Sequence, residues 1–138
     1  MKIRPSARLG LALACAALLA AGCASVDTLK DARGQGVKRT YRQSYEVVYQ
    51  TVLITASRRK LEIVEQNRPG GSMLLANGAS WTSLGERIAV FVMRSGDRAT
   101  TVEIVSRPVL SGITFPPDWA GLLFGDIEQE LAALRTPK

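Results

Sequence analysis

Few residues of this sequence have side chains that could do chemistry, because the chain contains two cysteines and no histidine. Without histidine, it lacks the commonest general base, the usual activator of serine and cysteine nucleophiles, and the usual zinc ligand. Gly34 and Gly36 stand without the rest of a phosphate-binding fingerprint. The sequence therefore predicts a protein that is not an enzyme, holds no cofactor and binds no metal.

Two groups of acidic residues are candidates for acid–base pairs. Asp126 and Glu130 are four residues apart and share one face of a predicted helix, with Glu128 beside them. Glu62 and Glu65 flank a predicted strand at an odd spacing, which sends their side chains to opposite faces. We interpret the helical group as a solvated acidic edge and not as a catalytic pair.

The first 22 residues have the layout of a secretory signal peptide. Three basic residues, Lys2, Arg4 and Arg8, precede an apolar run from Leu9 to Ala21. This run is shorter than the roughly 20 apolar residues of a membrane-spanning helix, which favours a cleaved signal over a short transmembrane anchor. We therefore expect residues 1–22 to be removed.

Residues 18–23, with the sequence LLAAGC, resemble the lipobox of bacterial lipoproteins. The resemblance implies that a diacylglyceryl group is attached to the thiol of Cys23, that a peptidase cuts before it, and that the new N-terminus is acylated. The residue three places before the cysteine is most often Leu, whereas here it is Ala20, with Leu19 one place further back. Several acyl chains would make the anchoring effectively permanent.

Removal of the signal peptide leaves Cys23 as the only cysteine, because Cys15 lies within the removed segment. No disulfide within the mature chain is then possible, which favours lipid attachment. Ala24 follows the cysteine in place of the Asp that retains lipoproteins in the inner membrane. The resemblance therefore implies a lipid anchor in the outer membrane, on its periplasmic face.

The charge pattern argues against a nucleic-acid partner. The chain has 18 basic and 12 acidic residues, and removing the three basic residues of the signal leaves 15 against 12. Nucleic-acid binding needs a dense basic stripe. The basic residues are scattered here, with short clusters at 38–39 and 58–60 that we interpret as solvated faces.

The elements that must position these residues follow from the hydrophobic periodicity. Residues 23–36 contain few large apolar side chains and are predicted to be a lipidated tether, which leaves residues 37–138 as the folded domain. Two helices are predicted, capped by Ser44 and Asp118. Their predicted apolar stripes are Tyr45, Val48, Tyr49, Val52, Leu53 and Ala56 in the first, and Trp119, Leu123, Ile127, Leu131 and Leu134 in the second.

Five strands are predicted from alternating or β-branched runs separated by turn signals. They cover residues 37–43, 61–66, 72–77, 86–94 and 100–106. The order of strand, helix, four strands and helix indicates an α+β fold. We expect one small domain with a mostly antiparallel sheet of four to five strands and two helices packed on one face.

Two loops contain large apolar residues, and two interpretations of them stay open. Trp81 lies in the loop at 78–84, and Phe115 lies in the loop at 113–117. Each aromatic ring covers the core in one interpretation, which we favour for Trp81. In the other, each is an exposed anchor for a partner protein, because Trp is a common hot-spot residue.

From Tyr41 to Arg135, the pattern resembles small bacterial lipoproteins of unknown function of the DUF3568-like kind. The segments that carry the resemblance are SYEVVY at 44–49, LEIV at 61–64, GGSMLLA at 70–76 and TTVEIVS at 100–106. The layout is also similar to the repeated domains in the C lipoprotein of the outer-membrane β-barrel assembly machine. The resemblance carries no catalytic residues to this chain.

These patterns lead to two functional hypotheses. The first is a non-enzymatic binding or accessory module for an envelope protein complex, anchored to the lipid bilayer through Cys23. The second is a small-ligand carrier that uses a groove between the helices and the sheet. A deep apolar cavity in that groove would favour the carrier, whereas an exposed patch around Trp81 or Phe115 on a filled core would favour the module.

Overall fold

The computed structural model describes residues 29–81, 83–109 and 115–135. Its elements are β1 (Val37–Tyr41), α1 (Tyr45–Arg58), β2 (Glu62–Asn67), β3 (Ser72–Asn77), β4 (Glu86–Gly96), β5 (Ala99–Pro108) and α2 (Trp119–Ala133). The strands form one antiparallel sheet in the order β1-β5-β4-β3-β2. The predicted α+β fold is confirmed. Within the described ranges, no helix is long and apolar enough to span a membrane.

Both helices pack on one face of the sheet, which we call the inner face. The side chains that the alternation of β4 directs to this face include Ile88 and Val90, which are fully buried against the helices. In α1, all the predicted apolar positions are buried except Leu53, which packs at the margin of the core. The 3.6-residue periodicity therefore located the face of α1 correctly.

The buried stripe of α2 differs from the predicted one at two positions. Asp118 caps the helix as predicted, since its carboxylate accepts a hydrogen bond from the Gly121 amide at 3.0 Å. The prediction for Leu134 is wrong, because the helix ends at Ala133 and the Leu134 side chain is 67% exposed. Phe124 is fully buried instead, which widens the apolar face by one position.

A bulge in β2 changes the orientation of its acidic residues. The pairing with β3 shifts between Ile63 and Glu65, so that Glu62 stands opposite Ala76 and Glu65 stands opposite Leu74. Ala76 and Leu74 are two residues apart and share a face. The prediction that the two glutamates point to opposite faces is wrong, because the bulge inserts one extra residue between them.

Residues 29–36, which we call the strap, pack across the other face of the sheet, the outer face. Leu29 and Ala32 are buried in a second apolar cluster. The sheet residues of this cluster are Leu74, Ala89, Phe91 and Val105. The assignment of residues 29–36 to a tether is therefore corrected, since this segment belongs to the fold. Residues 23–28 lie outside the described residues.

The first half of the strap is held to β2 and to the central strands. The Lys30 ammonium lies 2.8 Å from a carboxylate oxygen of Glu65 on β2. The Arg33 guanidinium donates to the Gly70 carbonyl at 3.1 Å and lies 4.9 Å from the centre of the Phe91 ring. These contacts fix the strap at the β2 side of the outer face.

The second half of the strap is fastened to a buried carboxylate on β5. One oxygen of Glu103 accepts hydrogen bonds from the amides of Gly34 and Gly36, at 2.7 and 2.8 Å. The Glu103 side chain is fully buried, and its other oxygen lies 3.9 Å from the Lys38 ammonium. A Cβ atom at Gly36 would lie 2.4 Å from the carbonyl oxygen of Ile104, so only glycine fits at this crossing. The strap thus runs from one edge of the sheet to the other.

Candidate partner-binding surface

The two apolar loops identified in the sequence leave the sheet at the same end. Glu86, at the start of β4, pairs with Asn77 at the end of β3 and with Pro108 at the end of β5. The loops are also joined directly, because the Val109 amide donates to the Gly85 carbonyl at 2.9 Å. The fold therefore places the β3–β4 loop beside the β5–α2 loop.

Both aromatic side chains of these loops are exposed. Trp81 is fully exposed, and Phe115 is 89% exposed. Leu84 and Val109 in the same loops are about half exposed, at 55% and 49%. We call these four residues the loop-end surface. The favoured interpretation of Trp81 as a cover over the core is wrong, and the alternative of an exposed side chain is what the structure has.

A buried carboxylate supports the base of the two loops. The Glu86 carboxylate is fully buried. It accepts hydrogen bonds from the side-chain amide of Asn77 at 2.7 Å, from the Ser83 hydroxyl, and from the Trp119 indole at 3.2 Å. Burial raises the pKa of Glu86, but the three hydrogen bonds together lower it by a larger amount. The pKa of Glu86 therefore lies below its ordinary value. This charged group therefore ties β3, the β3–β4 loop and α2 together.

The sequence contained a signal for this support, although Glu86 was assigned only to the start of a strand. The alternation that directs Ile88 and Val90 inward also directs Glu86 inward. An acidic residue on the apolar face of a strand needs hydrogen-bond donors nearby. The register then brings Asn77 to it, which no local pattern specifies.

The turn before Glu86 has a backbone conformation that favours glycine. Gly85 has φ of 102°, and a Cβ atom there would lie 2.8 Å from the carbonyl oxygen of Asn77. Its amide also donates to the Ser83 hydroxyl at 3.1 Å. The loop that carries Trp81 therefore ends in a closely specified turn at Gly85.

The acidic edge of α2 pairs with arginines from other elements. Asp126 accepts two hydrogen bonds from Arg59, at 2.6 and 2.9 Å, in the side-on geometry that suits a guanidinium. The hydrogen bonds from Arg59 lower the pKa of Asp126, and the same contact raises the pKa of Arg59. The other pairs are Arg58 with Glu130, and Arg39 with Glu128. The Arg58 side chain is exposed and that of Arg59 is partly exposed, as the solvated-face interpretation expects, and both also link α1 to α2.

The described residues bring no acid–base pair together in a cleft. The two fully buried carboxylates, Glu86 and Glu103, lie on opposite faces of the sheet. Over residues 29–81, 83–109 and 115–135, no group of three or more Cys, Asp or Glu side chains is placed to hold a metal ion. Each buried carboxylate instead fastens a loop or the strap to the sheet.

A cavity of about 160 Å³ lies beneath the strap on the outer face. Its lining includes Leu29, Arg33, Leu74 and Phe91. The carrier hypothesis expected a groove on the inner face, between helices and sheet. There the large side chains of the core, such as Tyr49 and Phe124, are fully buried against the strands. This cavity therefore lies on the face opposite to the predicted one, whereas a wider, open cleft of about 430 Å³ lies between the strap, β5 and the start of α2.

Cys23 lies outside the described residues, so its predicted lipid attachment has no structural description. Neither the scan against protein-family models nor the search of curated proteins gives a match for this chain.

Proposed function

We propose that this protein is a lipid-anchored, non-enzymatic module on the periplasmic face of the outer membrane. In this proposal, Cys23 carries the lipid and the loop-end surface binds a protein of the cell envelope. The resemblance of residues 18–23 to a lipobox supports the anchor. The exposure of Trp81 and Phe115, in two loops that leave the sheet at the same end of a domain with a filled core, is the observation that supports partner binding.

The chemistry of the loop-end surface suits a protein interface. An exposed Trp or Phe has a large apolar area that becomes favourable when a partner buries it, and such residues are common binding hot spots. The turn at Gly85 and the hydrogen bonds to Glu86 hold the loop bases in place before binding. Less conformational entropy is then lost when the partner docks.

The carrier alternative has weaker support from the geometry. Pockets that bind drug-sized ligands usually enclose roughly 300–1,000 Å³. The cavity beneath the strap is about 160 Å³, well below that range. Two clefts of about 420 and 430 Å³ fall within the range, but both are open to solvent and would enclose a ligand poorly. A partner module, in contrast, uses a surface that the fold already exposes.

Photocrosslinking in intact envelopes tests the proposal. A photoreactive residue at position 81 should give reproducible adducts with one envelope protein, and the same residue at the exposed Leu134 should not. The Phe115→Ala variant should reduce the adduct from position 81 about tenfold, because a hot-spot truncation costs on the order of 1–2 kcal/mol or more. Equal adducts from positions 81 and 134 would contradict partner binding at the loop-end surface.

The same experiment needs an arm for the anchor. Cys23→Ala should abolish labelling by radioactive palmitate and release the protein from the membrane fraction. Label retained by this variant would refute lipid attachment at Cys23 while leaving the partner proposal standing. The two parts of the proposal can therefore fail separately.

A further inference from the structure

Two arginines face each other on the outer face of the sheet. Arg87 on β4 is the register partner of Arg107 on β5. The alternation that places Ala89 and Val105 in the outer cluster places this pair on the same face. Directly opposed residues in an antiparallel pair have Cβ atoms about 5 Å apart, and like charges there are destabilising.

No carboxylate compensates this arginine pair within the described residues. Arg107 donates one hydrogen bond, at 2.6 Å, to the neutral side chain of Gln35, and the Arg87 side chain has no ion pair or hydrogen bond there. On the same row of the sheet, Ala76 separates Arg87 from Glu62 by two strand spacings, about 10 Å, and no ion pair joins the two side chains.

Several other arginines of the domain have a carboxylate partner. Arg58, Arg59 and Arg68 each pair with a carboxylate. The guanidinium groups of Arg87 and Arg107 repel each other and have no carboxylate partner in the part of the chain that the structure describes. An anion bound from outside the domain would reduce this repulsion. Two guanidinium groups side by side offer several N–H donors, a pattern that suits the oxygens of a phosphate group.

The strap leaves Arg107 exposed and Arg87 partly exposed, and it contacts this pair through Gln35. The buried strap residue Leu29 packs in the cluster with Leu74, Ala89 and Val105, which form the neighbouring row. That row is two residues, or about 7 Å, along the strands from Arg87 and Arg107. The arginine pair therefore lies beside the strap and not beneath it.

The position of Leu29 also limits the distance to the membrane. Leu29 is six residues after Cys23, and a chain of that length spans at most about 20 Å. A lipid on Cys23 would thus hold the outer face within about 20 Å of the bilayer surface. The nearest extended source of phosphate groups is then the layer of phospholipid headgroups.

We propose that Arg87 and Arg107 bind phosphate groups of phospholipid headgroups in the membrane that holds Cys23. The outer face then lies against the bilayer, and the strands run along it. The loop-end surface, at the ends of the strands, points along the membrane plane towards a partner in the same membrane. This inference rests on the proposed lipid attachment at Cys23.

Paramagnetic relaxation in nanodiscs tests the orientation. The lipidated full chain is placed in nanodiscs of phosphatidylglycerol and phosphatidylcholine that contain a lipid with a spin-labelled headgroup. The backbone amides of Ala76, Arg87 and Arg107 should relax several-fold faster than that of Ile54, which is exposed on α1. Equal relaxation at all four amides in the parent protein would overturn the proposal.

A charge-matched pair of variants identifies the groups responsible. Arg87→Gln with Arg107→Gln should remove most of the extra relaxation at Ala76, whereas Arg42→Gln with Arg98→Gln should leave it unchanged. The first variant removes a like-charge contact, so its Tm should equal or exceed that of the parent. Unchanged relaxation in the first variant would show that the arginine pair does not bind headgroups.

Two further outcomes distinguish headgroup binding by the arginine pair from failure of the lipid anchor and from binding of free phosphate. If the chain dissociates from the nanodiscs, the lipid anchor has failed and not the arginine site. Inorganic phosphate is also titrated against the chain in nanodiscs of phosphatidylcholine alone. Saturation of the Arg87 and Arg107 side-chain signals below millimolar phosphate, without headgroup contact, would assign the site to free phosphate and overturn the membrane assignment.

Discussion

Single residues with buried charge hold together the parts of this protein that lie outside its apolar core. Glu86 joins the loop-end region to α2, and Glu103 joins the strap to β5. Each is fully buried, and each accepts at least two hydrogen bonds. A buried carboxylate without such donors would cost several kcal/mol. The two glutamates therefore stabilise particular connections and are not free for acid–base chemistry.

Replacement of Glu86 should show this role. In Glu86→Ala, the buried donors of Asn77 and Trp119 lose their acceptor, so the free energy of unfolding should fall by roughly 2–4 kcal/mol. Urea unfolding monitored by circular dichroism measures the change. Glu128→Ala is the matched control, because its partly exposed ion pair with Arg39 should contribute about 1 kcal/mol or less. A loss in Glu86→Ala no larger than in this control would contradict the proposed support.

At the level of elements, the sequence predicted both helices and the positions of the five strands along the chain, because these depend on local periodicity. It did not predict the strap, since Leu29 and Ala32 are only two apolar residues in a polar stretch. A clue lay in β4, where Ala89 and Phe91 alternate with the inward residues and make both faces apolar. Such a strand needs a cover on each side. The arginine pair was missed for another reason, because it depends on the register between β4 and β5.

The crossing at Gly36 allows the strap to be tested as an element. In Gly36→Val, the side chain would collide with the backbone at Ile104, so the strap should detach and the free energy of unfolding should fall by about 1–3 kcal/mol. Limited proteolysis should then cut within residues 29–36 while α1 stays protected. Gly125→Ala on α2 is the control, because its Cβ would meet no atom within 4 Å and should be neutral or stabilising. Protection of residues 29–36 in Gly36→Val would contradict the proposed role of the strap.

In the whole molecule, the sheet separates the contacts of the two helices from those of the strap. The helices fill the inner face, and the strap crosses the outer face and continues towards Cys23. The loop-end surface lies at the ends of the strands, where neither set covers Trp81 or Phe115. The two exposed loops were identifiable from the sequence, because large apolar residues stood among turn residues. That they leave the sheet at the same end was not, because it follows from the pairing of β3 and β5 with β4. In the proposed function, this separation lets the anchor and the partner act on different surfaces of one domain.

The pH dependence of stability should reflect buried groups from several elements. The pKa values of Glu86 and Asp126 lie below their ordinary values in the folded protein. Their contribution to stability is therefore complete above the unfolded pKa of about 4 and is lost as the pH falls through the folded values. At the alkaline side, burial raises the pKa of Tyr41 from 10.0 to about 12. Its contribution is complete below pH 10 and is lost as the pH rises towards 12.

Tyr41→Phe isolates the alkaline part of this profile. The Tyr41 hydroxyl is buried and has no hydrogen-bond partner among the described residues, so its removal should change the free energy of unfolding little at neutral pH. Near pH 11, the parent should have lost about 1 kcal/mol through ionisation of this tyrosine in the unfolded chain, and the variant should not. Urea unfolding at neutral pH and near pH 11 measures the difference between the two proteins. If both lose the same free energy, ionisation of Tyr41 does not govern the alkaline limit, and another group, such as Tyr45 with its raised pKa, must do so.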